Sequence, residues 1–320
     1  MDVMQTDHLK AYGIAHFIID KGINVEWLLN YRGGSFLIDG HDFISRECTL
    51  RGVSYQSIGS SDAAYIYGEI DQSNMDVVML EKSPRIAVYS PPDKQPWDDA
   101  VTLALTYAEI DYDIIFDDEV FAGALKKYDW LHLHHEDFTG QYGKFYRNFR
   151  NAGWYRQQKM DFEARAERYG FSSVSEMKKA IVREIKSYVQ KGGFLFAMCS
   201  ATDSFDIGLA SENVDIVEVP YDGTPVQSNY LSKLDYSKSF AFENYNLYTD
   251  PMIYEYSTID VPPSHKPVTK GAEADYFTLF EFSAKWDPVP TMLTQDHVNV
   301  VNGFMGQTTG FNRNTLKKHV

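Results

Sequence analysis

Cysteine is scarce in this chain: of its 320 residues only Cys48 and Cys199 carry a thiol. Two thiols cannot build a disulfide framework, so the redox compartment stays open. Positive charge is short as well. Thirty Lys and Arg face 45 Asp and Glu, a formal net charge of −15, which argues against a nucleic-acid partner because such binders carry a basic surface. No apolar run approaches the roughly 18 residues of a membrane span, and no basic-then-apolar signal opens the chain. As given, the chain therefore reads as soluble. Prolines are few, and neither an internal repeat nor a low-complexity tract interrupts the sequence.

Aromatic residues, by contrast, are abundant. The 20 Phe and 22 Tyr exceed what a core alone needs, so some are expected to line a cleft or a partner surface. Tyr146, Arg147, Phe149, Arg150, Trp154, Tyr155 and Arg156 form a basic aromatic run. In so acidic a chain that run reads as a helix face with snorkelling arginines.

The patterning along the chain predicts an α/β protein. Helical spacing at Leu9, Tyr12, His16 and Ile19 stops at Gly22, and short strands over Val25–Tyr31 and Ser35–Ile38 flank an Arg32-Gly33-Gly34 turn. A further strand is expected over Val53–Ile58, and Ser61-Asp62 caps a helix running to about Gln72. Buried strands are then expected over Arg85–Ser90, Tyr112–Phe116, Asp129–Leu133, Phe194–Met198 and Val214–Val219. Helices over Trp97–Ile110 and from the Ser173-Val174-Ser175-Glu176 capping box separate them, with helical turns around Phe121–Lys126 and Asp206–Ala210. Such alternation implies a doubly wound, mostly parallel sheet. The expected division falls near Ser83-Pro84, giving residues 1–83 as an N-terminal α/β part and 84–320 as the main α/β domain. Beyond Tyr221 a long aromatic-rich region shows few clean periods.

Ligands of an open parallel sheet bind beyond the carboxyl ends of its strands. The residues expected there are Ser90, Asp117 with Asp118, His134, His135, Glu136 and Asp137, and Cys199 with Ser200. Cys199 sits in KGGFLFAMCSAT, with Ala197 and Ala201 two residues to either side. A nucleophile on a strained strand-to-helix elbow demands small residues at those positions, and the helix N-terminus would favour a thiolate and an oxyanion. An inert buried thiol satisfies the same pattern. His132 and His134 share one strand face, and with Glu136 they form a second arrangement that could ligate a metal. A hydrogen-bonding site wall or a solvated loop are the alternatives there.

The segments LKAYGIAHF, NVEWLLNYRGGSF, DWLHLHHEDFTGQYGKFY, GGFLFAMCSATDSFDIGLA and NGFMGQTTGF resemble a family of Bacteroidota proteins often labelled asparagine synthetase B, over essentially the whole chain. The second part is similar to class I glutamine amidotransferases, of flavodoxin-like fold, and to the trehalose-utilisation-type proteins of that superfamily. The elbow cysteine of an amidotransferase corresponds to Cys199. The family label implies a chemistry that the residues do not support: residue 2 is Asp2 rather than cysteine, and no Ser-Gly-Gly-x-Asp-Ser pyrophosphate loop exists. Amidotransferases activate their cysteine with a downstream His-x-Glu, whereas His265, His297 and His319 stand in SHKP, DHVN and KHV. The resemblance implies that family members continue past Val320 into a glycine-rich strand and a His-Asp-Pro-Glu segment. It also implies a signal sequence and one more strand before Met1, hence a trimmed chain and a periplasmic or cell-envelope location, with the cytoplasm left open.

The expected function is therefore an amidotransferase-like hydrolase or transferase with Cys199 as nucleophile, Ser200 at the oxyanion, and His134 or His135 orienting the substrate or carrying a proton. Ser90, Asp117, Glu136 and Asp137 would complete the substrate site. A non-catalytic protein binding a small molecule or an envelope partner is the alternative, and a metal-dependent site at His132, His134 and Glu136 the third. No cofactor and no resident metal is expected under the leading reading.

Overall fold

In a computed structural model of the chain, residues 5, 7–92, 100–260, 284–286 and 312–317 are described. They divide into two units, one made of Met1–Arg85, Gln95–Tyr112 and Phe277–His297, the other of Ile86–Lys94, Asp113–Tyr276 and Val298–Val320. In chain order the first elements are α1 (His8–Asp20), β1 (Val25–Leu29), β2 (Ser35–Leu37), α2 (Asp42–Leu50), α3 (Ser60–Gln72) and β3 (Asp76–Leu80). They are followed by β4 (Ile86–Tyr89), α4 (Ala100–Ala108), β5 (Tyr112–Ile115), α5 (Asp117–Phe121) and β6 (Trp130–Leu133). Then come α6 (Tyr146–Phe149), α7 (Gly153–Arg168), α8 (Val174–Gln190), β7 (Phe194–Ala197), α9 (Ser200–Ala210) and the single turn α10 (Val219–Asp222).

The first unit builds a three-stranded antiparallel sheet in the order β2-β1-β3. Its helix α1 is capped by Asp7, whose carboxylate accepts from Lys10 N at 3.0 Å, and buries Ala11, Ile14, Ala15 and Ile18. At Gly13 a Cβ would stand 1.8 Å from the Ala108 carbonyl oxygen, so the glycine lets α1 and α4 approach backbone to backbone. The expected strand over residues 53–58 does not form. Val53 is buried beside Cys48, but the segment finds no ladder partner, and Ser54 is held by the Gln5 side chain instead. The first turn expected for the helix over 97–110 lies outside the described residues, and the helix is seen from Ala100 to Ala108.

The second unit carries a four-stranded sheet in the order β5-β4-β6-β7. The β4–β6 and β6–β7 ladders are parallel, with Leu131 facing Ala87 and Leu195, and Leu133 facing Tyr89 and Ala197. The mixed α/β character and the parallel sheet thus match the sequence patterning. Chain order reverses between β4 and β6, the kind of position at whose carboxyl ends open α/β sheets bind their ligands. Ala87, Tyr89, Leu131 and Leu133 pack with Met177, Ile181, Val182 and Ile185 of α8, which starts at Ser173, whose hydroxyl accepts from Glu176 N at 3.2 Å. Among the described residues no helix is long and apolar enough to cross a membrane.

The strand expected over Val214–Val219 is replaced by irregular chain entering α10. Its apolar signal is real, since Val214, Ile216 and Val217 are buried in the core. The backbone, however, is satisfied by side chains: Lys179 Nζ donates to Val214 O at 2.9 Å and Asp215 Oδ1 accepts from Val217 N at 3.1 Å. The same device recurs downstream, where the Asp206 carboxylate of α9 accepts from the backbone N–H groups of Phe240, Ala241 and Phe242 at 2.7, 2.7 and 2.9 Å. Replacing Asp206 by alanine strands three backbone donors, one buried and two half-buried. We expect Asp206→Ala to cost about 3 kcal/mol of unfolding free energy by urea titration, from the desolvation penalty of unmade hydrogen bonds.

Candidate functional site

Three strand ends meet at the carboxyl edge of this sheet. Ser90 follows β4 and donates its N–H to Ile115 O at 2.9 Å. The loop His134–Asp137 follows β6, and Cys199 follows β7 after Met198. Cys199 has φ 50° and ψ −139°, a left-handed conformation costly for any residue with a Cβ. It is the N-cap of α9, and its side chain makes no capping hydrogen bond to that helix. Ala201 is fully buried, so the small residue after the elbow is required by packing.

Hydrogen bonds stitch the β6 loop to the first turns of α9. Ala201 N donates to His134 O at 3.1 Å. Ser204 Oγ donates to Glu136 O at 2.9 Å and accepts from Phe138 N at 3.4 Å. Glu136 turns back on its own loop, with its carboxylate accepting from His134 N at 2.8 Å. Asp137 closes the next turn, accepting from Thr139 N at 2.7 Å and Gly143 N at 3.0 Å. The structure therefore brings Cys199, Ser200, His134, Glu136 and Asp137 together. The rings of His134 and His135 lie 4.5 Å apart.

Two other expected residues have different surroundings. Asp117 is fully buried under α8, where Lys178 Nζ donates to its two oxygens at 2.8 and 3.0 Å and the Tyr89 hydroxyl donates to Oδ1. Its carboxylate is thus engaged within the core by Lys178 and Tyr89. His132 is also fully buried, with its ring stacked on Phe196 at 5.7 Å and edge-on to Trp130 at 6.5 Å. Among the described residues no three His, Cys, Asp or Glu come together in a way that could hold a metal, which removes the support for a site at His132, His134 and Glu136. His265, His297 and His319 lie outside the described residues.

The electrostatics of the thiol run opposite to the expectation from the helix N-terminus. Cys199 is exposed as a residue, yet protein atoms crowd its sulfur, and desolvation is the main cause that pushes the thiol pKa up. The N–H and hydroxyl of Ser200 hydrogen-bond the sulfur and pull the pKa down, but the charges of Asp203 and Glu136 push it up again, and the net shift is upward. Tyr254 stands in the same field: burial first, then Cys199, raises its phenol pKa.

Asp203, Tyr254, Tyr256 and Asp260 were invisible to the strand-end argument. Asp203 lies one helical turn after Cys199, a spacing that could have flagged it. The other three come from the region without clean periods. Burial pushes the Asp203 carboxyl pKa well above the carboxylate range, the Asp260 charge adds to this, and only the N–H groups of Ser204 and of Asp203 itself oppose it.

A carboxyl whose folded pKa is raised contributes stability below its unfolded pKa near 3.8 and loses that contribution as pH climbs through the folded value. Asp203→Asn should therefore melt higher than the unsubstituted protein at pH 7.5, with the gap closing toward pH 4. Thermal melts at both pH values test this, and an equal or lower melting temperature at pH 7.5 counts against it. Comparison with protein-family models, curated proteins and solved structures returns no match, so the functional reading rests on this geometry.

Proposed function

We propose that the protein is a cysteine-dependent acyl-transfer enzyme, a hydrolase or transferase of the class I glutamine amidotransferase-like kind. One observation carries the reading: Cys199 holds φ 50° and ψ −139° at the junction of β7 and α9. Backbone strain at a reactive side chain costs on the order of 1–3 kcal/mol and persists where the surroundings over-determine it. The sulfur would attack a carbonyl of an amide, ester or sugar-derived substrate, and the Ser200 N–H would hold the developing oxyanion. His134 and His135, at the end of β6, would orient the substrate or carry a proton. Asparagine synthesis is not part of this reading, since the sequence contains no Ser-Gly-Gly-x-Asp-Ser pyrophosphate loop.

A second reading, a binding protein on the same fold, is favoured by the apolar surface near the thiol. Phe194, Phe196 and Met198 are exposed along β7, and Met252 and Tyr254 are exposed in the irregular region. Two measurements decide between the readings. Iodoacetamide should label Cys199 faster than Cys48, which is only 5% exposed and has its thiol pKa raised by burial. p-Nitrophenyl acetate should leave an acetyl thioester on Cys199, and Cys199→Ser should lower p-nitrophenol release by about a thousandfold, the scale of losing a nucleophile. Equal labelling of the two cysteines with no acetyl adduct would leave the binding reading in place.

A further inference from the structure

Three aspartates of the second unit are buried, and two are fully partnered. Asp117 has Lys178 and Tyr89, and Asp206 has three backbone N–H groups. Asp203, 7% exposed, accepts among the described residues only from the adjacent Ser204 N at 2.9 Å and from its own N–H. Among the described residues, the titratable groups that act on it are Cys199 on its own helix, Asp137 from the β6 loop, and Tyr254, Tyr256 and Asp260 from the irregular region, while Glu136 acts on Cys199. The buried cation Lys144 interacts with Asp137 but donates its hydrogen bonds to Gln141 Oε1 and to the carbonyls of Tyr248 and Asp250.

Tyr256 supplies the second observation. It is 5% exposed, and its hydroxyl is buried with no hydrogen-bond partner. Asp137 and Asp203 are the charges that act most strongly on it. An unused phenol donor beside an under-partnered carboxyl marks a place where a further polar group is accommodated.

We propose that Asp203 is the proton-exchanging residue of the Cys199 site, accepting the thiol proton as sulfur attacks an acyl carbonyl and returning it to the leaving group. This rests on the acyl-transfer reading above. In the first step the S–C bond forms, the thiol proton passes to the Asp203 carboxylate, and the bond from the acyl carbon to oxygen or nitrogen breaks. The leaving atom takes its proton from the Asp203 carboxyl. Water then hydrolyses the thioester, giving the free acid and restoring the thiol. Asp203 and Cys199 make no hydrogen bond in the free protein, and catalytic hydrogen bonds commonly tighten only once substrate is bound. Burial raises the Asp203 carboxyl pKa above the carboxylate range, which is the direction that favours a carboxyl both taking and giving a proton.

The test uses the full chain carrying Cys48→Ala, so that one thiol reports, alone and with Asp203→Asn or Asp203→Glu. Iodoacetamide at pH 8.5 reads the thiolate population, and acetylation by p-nitrophenyl acetate at pH 6.5 reads base-assisted attack. The Asp203 charge is one of the causes that raise the thiol pKa, so Asp203→Asn should alkylate severalfold faster. Acetylation at pH 6.5 should instead fall about a hundredfold, the low end of general-base assistance, and Asp203→Glu should recover part of it. Opposite movement of the two rates is not produced by a structural role. Acetylation that rises in step with alkylation would overturn the proposal, leaving Asp203 as a charge that merely raises the thiol pKa. No acetylation of the unsubstituted Asp203 protein, with alkylation intact, would instead overturn the acyl-transfer reading itself.

Discussion

Roughly the last quarter of the described chain has almost no ladder to hydrogen-bond with, and the remainder of the second unit is arranged to supply partners for it. A buried backbone N–H or C=O without a partner costs about as much as a lost hydrogen bond. Residues 214–260 meet that demand through long side chains of the regular elements. Lys159 of α7 donates to the carbonyls of Pro220 and Tyr221 at 3.0 and 2.6 Å, Lys179 of α8 to Val214, and Lys186 of α8 to Lys238. From the other polarity, Asp206 of α9 gathers three N–H groups. An ammonium has three donors and no acceptor, so it suits carbonyls that no strand will pair. Further along, the segment ties to itself, with Tyr248 N donating to Tyr256 O at 2.9 Å, and neither Tyr254 nor Tyr256 lies in a helix or strand of its own.

Lys144 shows what such a tie costs. It is almost fully buried, with a left-handed φ of 58°, and burial pulls its ammonium pKa down to about 8 even though Asp137, Asp250 and Glu255 pull it up. A lysine with a depressed folded pKa opposes folding while it is charged, and the penalty is relieved as pH rises from about 8 toward the unfolded value of 10.5. The fold accepts that penalty where the β6 loop must be joined to the Tyr248–Asp250 segment. Asp117 with Lys178 is a different solution, in which charge meets charge and the pair is sealed under α8.

The sheet was legible in the sequence because its strands are short apolar runs bounded by breakers, IAVY, YDII, WLHL and FLFA, although only IAVY and WLHL are buried along their length and YDII and FLFA are partly exposed. The capping box at Ser173 and the elbow at Cys199 were legible because each demands particular residue types at fixed spacing. Val214–Val219 misled for a stated reason. Its apolar residues serve the core, while Lys179 and Asp215 satisfy the backbone that a strand would have paired. Asp117 misled in another way, since a position after a strand does not reveal that a lysine on a helix some sixty residues later will cover it. Asp203 was concealed because a single carboxylate in the first turn of a helix is ordinary, and only tertiary packing shows that it lacks a cation. Tyr256 and Asp260 have no local signal at all.

The elbow, finally, is held from both sides. Met198 N donates to Leu133 O at 2.9 Å and Ala201 N to His134 O at 3.1 Å, so the residues on either side of Cys199 are fixed by two successive residues of the neighbouring strand end. Ser204 fastens the next turn to Glu136 and Phe138. Cys199 is therefore the residue left to take up the mismatch between strand direction and helix axis, and a φ of 50° is how it does so. Relaxing that angle would require breaking the ties between the β6 loop and α9, and those ties also set Glu136 against the thiol. Strain, position and the acidic field at Cys199 thus share one structural origin, the suturing of two adjacent strand ends.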